Sequence, residues 1–175
     1  MSSDAITHTI VVAAYASAAD AEADYSATES MYDEAGATDA FDGVLIARND
    51  LGAARVVKDR APNRSEALRG HDVGLAGGVV VNLFPRTALV GTVRSAGALA
   101  IGDCVRDALS GEDLTDLGDV LMTGHGDIAI VTTTELRRTV DKALSRAAEI
   151  VHKSIGLDEA QLRSAVQRAQ YEREM

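Results

Sequence analysis

The residues that could do chemistry are the four histidines, because each has an acidic residue close by in the sequence. The pairs are His8 with Asp4, His71 with Asp72, His125 with Asp127, and His152 with Glu149. A metal site needs three or four ligands that converge on one point, and no spacing in this chain matches a ligand motif. The sequence therefore predicts no metal site and no cofactor.

One combination of these residues is still the best candidate for a bound metabolite or ion. His71 and Asp72 lie near the start of an inserted segment, whereas His125 and Asp127 follow its end. The two pairs come together if both ends of the insertion reach the same edge of the sheet. The alternative interpretation is that all four are solvated loop residues.

Motifs for other kinds of catalysis are absent from the sequence. The turn Gly124-His125-Gly126 could present backbone amides to an anion, but it precedes a strand, and the chain has no Gly-x-Gly-x-x-Gly and no P-loop lysine. There is also no Gly-x-Ser-x-Gly. The single cysteine, Cys104, follows Asp103, whose charge disfavours a reactive thiolate. We therefore expect a protein that is not an enzyme.

The strongest pattern in the chain is a stripe of glycines. Gly70, Gly74 and Gly78 recur every four residues, which places them on one face of a helix. Each glycine costs a helix about 1 kcal/mol relative to alanine, so the stripe indicates that another backbone approaches closely along that face. A glycine-rich loop is the alternative, because GHD and AGG also resemble turns.

Composition limits the partners and the location. The formal net charge of −10 and the pI near 4.7 argue against a broad basic face for nucleic acid or anionic lipid. The first residues contain no basic segment, so we expect a cytoplasmic protein without a secretory signal. The apolar stretch 73–102 is interrupted by Asn82, Pro85, Arg86 and Arg94, and this favours helices buried in protein rather than in lipid.

The first 64 residues predict a strand, a helix and two further strands. His8–Tyr15 is β-branched and apolar on both faces, and Ser17 can cap a helix that ends at Gly36. Phe41–Arg48 and the shorter Ala54–Lys58 read as strands.

Residues 65–122 predict an insertion made of three helical pieces. The pieces are residues 65–84, 87–110 and 112–122. Pro85 separates the first two as a hairpin. Gly91 and Gly102 lie among the small residues of the second piece and form a counter-surface for the stripe.

The remaining residues predict a second strand-helix-strand unit and a final helix. Residues 123–156 contain the strand Asp127–Thr133, a helix capped by Thr134 and the edge strand Glu149–Ile155. Residues 157–175 form an amphipathic helix that could pack on a partner subunit as readily as on its own core.

Together these elements predict an α+β fold, a ferredoxin-like split β-α-β sandwich with an inserted glycine-rich helical hairpin and a C-terminal helix, all in one structural domain. Such a sheet normally carries helices on one face only. Because the central strands are apolar on both faces, the insertion or a second subunit must cover the other face.

This order of parts resembles the bacterial domain-of-unknown-function 1269 family, often labelled predicted membrane or stress-associated proteins. The resemblance is closest over 73–144, especially in the leucine-glycine helix that runs into a valine-rich strand at 114–131. This chain has Thr123-Gly124 where the family commonly has proline-glycine. The resemblance implies a stress-linked role and self-association, and it implies no catalytic residues.

We therefore expect a cytoplasmic, non-enzymatic homo-oligomer that associates through its glycine-rich hairpin and sheet face. One alternative is a membrane-associated protein that uses the same hairpin. Another is a small-molecule or metal binder whose site is lined by His71, Asp72, His125 and Asp127.

Overall fold

The computed structural model of the chain describes residues 5–37, 41–49, 54–60, 76, 79–80, 83, 89–90, 105–121, 124–133 and 135–158. The described elements are, in order, β1 (Ala5–Tyr15), α1 (Ala18–Glu34), β2 (Gly43–Arg48), β3 (Ala54–Arg60), β4 (Leu89–Val90), α2 (Gly111–Leu121), β5 (Gly126–Thr132), α3 (Arg137–Ala143) and β6 (Glu149–Asp158). The predicted α+β class is confirmed.

The six strands form one sheet in the order β4-β3-β2-β5-β1-β6. All neighbours are antiparallel except β3 and β4, which are parallel. Two strand-helix-strand units interlock in this order, because β5 lies between β1 and β2 while β1 lies between β5 and β6. The units β1-α1-β2 and β5-α3-β6 therefore share the centre of the sheet.

Local sequence signals explain the ends of the first helix. The Ser17 hydroxyl accepts a hydrogen bond from the Asp20 N–H at 3.2 Å, as the predicted cap requires. Gly36 follows the helix with a φ of 69°, which is the left-handed conformation that glycine adopts without strain. Both predicted boundaries of α1 are confirmed.

One face of the sheet, called here the helix face, is covered by α1 and α3. Alternate β1 residues Val11, Ala13 and Tyr15 pack there against Tyr25 of α1 and Val140 of α3. The rings of Tyr25 and Tyr32 each meet Phe41 edge-on, with centroids 5.4 and 5.0 Å apart. The helix face is thus a mainly apolar layer that includes edge-on aromatic contacts.

The opposite face, called the insertion face, is covered by residues of the inserted segment. The sheet contributes alternate apolar residues such as Ile10, Val12 and Ile46. The insertion contributes Ala76, Val79, Val80, Val105, Leu109, Leu117, Val120 and Leu121. The sequence left open whether the insertion or a second subunit covers this face, and the chain covers it itself.

The prediction for the second insertion piece is wrong at its beginning. Leu89 and Val90 do not belong to a helix over 87–110 but form β4, which pairs with Ala54 and Arg55 of β3. The outer edge of β3 carries backbone groups that need partners, and a leucine-valine pair suits a strand. The helical residues described further along this piece are 105–108.

Two other boundaries differ from the predictions. Helix α3 begins after Leu136, whose side chain makes no cap hydrogen bond, so the helix starts later than predicted; the predicted cap Thr134 itself lies outside the described residues. The Leu136 N–H donates instead to the Thr133 carbonyl, which makes a turn ahead of the helix. Strand β6 continues to Asp158, beyond the predicted Ile155, because it pairs with β1 along its full length.

Candidate functional site

Of the two described residues of the predicted ligand cluster, Asp127 is the one that is buried. It is the second residue of β5, opposite Ala14 of β1 and Ile46 of β2. Since side chains alternate along a strand, it shares the insertion face with Ala129. The sheet therefore carries a buried carboxyl group among the apolar side chains of the insertion face.

Arg48 is the partner of this carboxyl group. It is the last residue of β2, and its Nε atom donates to Oδ2 of Asp127 at 3.2 Å. The side chain of Asp127 is fully buried and that of Arg48 is 12% exposed. The pair joins two central strands whose residues are far apart in the sequence.

The second carboxylate oxygen, Oδ1, is buried and has no hydrogen-bond partner within the described part of the chain. Burial raises the pKa of Asp127 from 3.8 to about 7, although the charge and hydrogen bond of Arg48 act in the opposite direction. A proton on Oδ1 would remove the cost of a buried charge. Asp127 is thus a buried acid that changes its protonation near neutral pH.

A carboxyl group with this pKa has the proton affinity of a general acid or base, but its surroundings do not suit catalysis. Asp127 has no solvent exposure, and its nearest strand neighbours Ala14, Ile46 and Ala129 are apolar. The arrangement supports a role in holding the insertion face together.

His125 does not share the environment of Asp127. Its side chain is exposed, while its backbone is fixed: the N–H donates to the Tyr15 carbonyl at 3.0 Å, and its carbonyl accepts from the Arg48 N–H at 2.9 Å. The His125 amide is therefore engaged within the sheet and is not available for an anion. A Cβ on Gly124 would lie 2.6 Å from the Tyr15 carbonyl oxygen, so this turn requires glycine.

His71 and Asp72 lie outside the described residues, as do the interface glycines Gly70, Gly74, Gly78, Gly91 and Gly102. His152 bonds Asp141 of α3, with 2.6 Å between Nε2 and Oδ1. Among the residues that the structure describes, no three histidine, cysteine or acidic side chains are placed to hold a metal ion.

The sequence interpretation missed a second buried carboxylate, Asp24. From the sequence alone, the acidic residues of 20–34 are expected to lie opposite the apolar side of the helix as a solvated face, but Asp24 is fully buried. Its Oδ2 accepts from the Tyr15 hydroxyl and the Arg146 N–H, and its Oδ1 accepts from the Arg146 guanidinium, each at 2.9 Å. Burial, reinforced by this hydrogen bond and the charge of Asp24, raises the pKa of Tyr15.

Asp24 could have been found from helical spacing. It is three residues after Ala21 and four before Thr28, and both are buried on the side of α1 that faces the sheet. A charge at such a position needs partners from other elements. Asp24 has them in β1 and in the loop after α3, so its role is to join three parts of the helix face.

Polar contacts also fasten the insertion to the sheet. Oδ1 of Asp42 accepts from the backbone N–H of Ala76 at 3.0 Å in a buried position. In the edge strand β6, Nζ of Lys153 lies 2.7 Å from Asp116 and 3.2 Å from Asp113 of α2. These two carboxylates raise the pKa of Lys153. Polar contacts therefore attach the insertion to the sheet at two separate places.

Comparison with known proteins gives no relative from which a role could be transferred. No family model, curated protein or solved structure matches the chain. Among the described residues, no helix combines the length and apolar character that crossing a bilayer requires.

Proposed function

We propose that the chain is a non-enzymatic protein that associates with copies of itself through the glycine stripe of its insertion. The supporting observation is which apolar side chains of the insertion are buried against the sheet. Ala76, Val79 and Val80 are helical and are fully buried on the insertion face. At about 100° per residue, Gly74 and Gly78 fall on the opposite side of a helix that carries these three residues.

On an ideal helix through Ala76, Val79 and Val80 the stripe would be directed away from the sheet, and a stripe so placed suits contact with another backbone. Each glycine costs a helix about 1 kcal/mol relative to alanine, and close packing against a second chain offsets that cost. The sheet face takes no part in this proposal, because the chain's own insertion residues cover it.

The buried polar groups support a structural rather than a catalytic role. Asp24 joins β1, α1 and the loop after α3, Asp42 holds the insertion, and Asp127 pairs with Arg48 between two strands. Each of these carboxylates has a hydrogen-bond partner that joins two parts of the fold.

We also propose that the fold is ferredoxin-like, with additions at one edge. The strands β6-β1-β5-β2 alternate with α1 and α3 in the β-α-β pattern of that sandwich, and both helices lie on the helix face. Strands β3 and β4 then extend the sheet beyond β2. The resemblance to the domain-of-unknown-function 1269 family supports the same order of parts, a stress-linked role and self-association, and we propose a cytoplasmic location.

The experiment is the absolute mass of the purified, detergent-free protein by light scattering over a range of concentrations. The test variant is Gly74→Leu, which places a large side chain in the stripe. The matched control is Gly111→Leu, since Gly111 is exposed and an added Cβ there meets nothing within 4 Å.

We expect the native chain and the control to form a defined oligomer and Gly74→Leu to contain fewer copies. A monomer in all three samples at every concentration contradicts self-association. An unchanged oligomer in Gly74→Leu contradicts the stripe as its interface.

A further inference from the structure

The last described strand of the sheet, β6, forms a long and regular edge. It has ten residues and pairs with β1 from Ala5↔Asp158 to Ala14↔Glu149 without a shift in register. The opposite edge is different, because the pairing of β2 with β3 shifts between Leu45 and Ile46 and β4 then covers β3. The two edges of the sheet are thus finished in different ways.

The backbone hydrogen bonds of the sheet show which groups of β6 point outward. The Arg48 N–H bonds the His125 carbonyl and the Val131 N–H bonds the Asp42 carbonyl, so odd-numbered residues of β5 bond β2. Antiparallel ladders alternate, so even-numbered residues of β5 bond β1, and the even-numbered residues of β1 bond β6. The even-numbered residues of β6 therefore direct their N–H and C=O groups away from the sheet.

Two devices that protect such an edge, a proline and a β-bulge, do not occur within β6. Its sequence, EIVHKSIGLD, contains no proline, and its register with β1 has no bulge. Its two basic side chains are held over the two faces of the sheet: His152 by Asp141 of α3, and Lys153 by Asp113 and Asp116 of α2. Neither shields the strand edge.

We propose that the outer edge of β6 pairs antiparallel with β6 of a second copy of this chain, which joins two sheets into one. This inference rests on the proposed self-association and adds an interface to it. An antiparallel pair of identical strands is self-complementary about a two-fold axis. Both copies then satisfy the same outward backbone groups.

Charge favours a second copy as the occupant and indicates the register. The chain carries a formal charge of −10, but residues 150–158 hold one lysine and one aspartate, so two copies meet at a balanced stretch. Centring the pair on Ser154 pairs residues 150–158 of each copy with no like charges directly opposite. Centring it on Lys153 would oppose two ammonium groups.

The test removes one outward hydrogen-bond donor and leaves the β1 ladder intact. Ser154 is exposed and even-numbered, so Ser154→Pro deletes an N–H that points away from β1. Ser154→Ala is the matched control, because it keeps the N–H and removes only the hydroxyl group. Thermal melting of each variant is measured to check that the fold is retained.

A second variant tests the edge without proline. Ser154→Lys places two lysines opposite each other at the centre of the pair, and Ser145→Lys adds the same charge at an exposed position outside the strand. Light scattering then compares the number of copies for all four variants, alone and combined with Gly74→Leu.

We expect Ser154→Pro and Ser154→Lys to halve the number of copies, both controls to keep it, and the combination with Gly74→Leu to give a monomer. If Gly74→Leu lowers the mass and both Ser154 test variants do not, the edge inference is wrong and the proposed function stands. If the Ser154 variants lower the mass and Gly74→Leu does not, the edge interface stands and the stripe fails. A native monomer refutes both.

Discussion

Replacing the buried acid Asp127 should change how stability depends on pH. In the native fold its pKa is about 7, compared with 3.8 for an ordinary aspartate. Between these values the folded state binds a proton that the unfolded state has lost, so the free energy of unfolding falls as pH rises from about 4 to 7. Above about pH 7 the contribution is constant.

The size of this effect follows from the same two values. Each pH unit of difference corresponds to about 1.4 kcal/mol, so the whole range is worth about 4 kcal/mol. Between pH 5 and pH 8 the native protein should lose about 2 to 3 kcal/mol of this contribution to its free energy of unfolding. Asp127→Asn cannot titrate and should not lose it.

The assay is urea unfolding of the native chain and Asp127→Asn at pH 5, 6, 7 and 8. The variant leaves Arg48 without its counter-charge, so its absolute stability can be lower at every pH. The informative quantity is the difference between the free energies of unfolding of the two proteins. From pH 5 to pH 8 this difference should change by about 2 to 3 kcal/mol in favour of Asp127→Asn.

A control without the buried cation compares Arg48→Met with the double variant Arg48→Met/Asp127→Asn. The difference between their free energies of unfolding should also shift toward the double variant from pH 5 to pH 8, and by more than in the first comparison. Burial then acts without the opposing charge of Arg48. A difference between native and Asp127→Asn that is flat from pH 5 to pH 8 would refute the assignment of Asp127 as a group that titrates near neutral pH.

Two further substitutions test contacts that position the site. Gly124→Ala should lose about 1 to 3 kcal/mol in urea unfolding, because its Cβ would lie 2.6 Å from the Tyr15 carbonyl oxygen, whereas Gly111→Ala should lose nothing; equal stabilities would contradict the close approach. Tyr15→Phe should cost about 1 to 2 kcal/mol, since it removes the hydroxyl that donates to buried Asp24, and a neutral result in thermal and urea unfolding would show that the Arg146 contacts suffice for this carboxylate.

Periodicity was sufficient to predict the long elements of this fold. The apolar run of β1 and the three- and four-residue spacing in α1 each extend over several turns or residue pairs, so they identify the element type. Strand β4 has two residues, which is too short for any period to show. The small residues around it follow a helical spacing, which predicts a helix. Leu89 and Val90 form a strand instead, because they pair with the edge of β3.

The candidate site was harder to predict because it depends on register. Arg48 and Asp127 are 79 residues apart in the sequence, and only the pairing of β2 with β5 brings them together. Asp24 was missed because the other acidic residues of α1 are exposed or half-buried, although its spacing from Ala21 placed it on the buried side. Charge composition alone could not separate these two kinds of carboxylate.

We propose that this chain works as an assembly of its own copies. The most direct test is the absolute mass of the native protein by light scattering, from dilute to concentrated solution and without detergent. Self-association through the glycine stripe predicts a discrete mass of several copies that falls in Gly74→Leu and remains in Gly111→Leu. A mass of one copy, 18.3 kDa, at every concentration would contradict it.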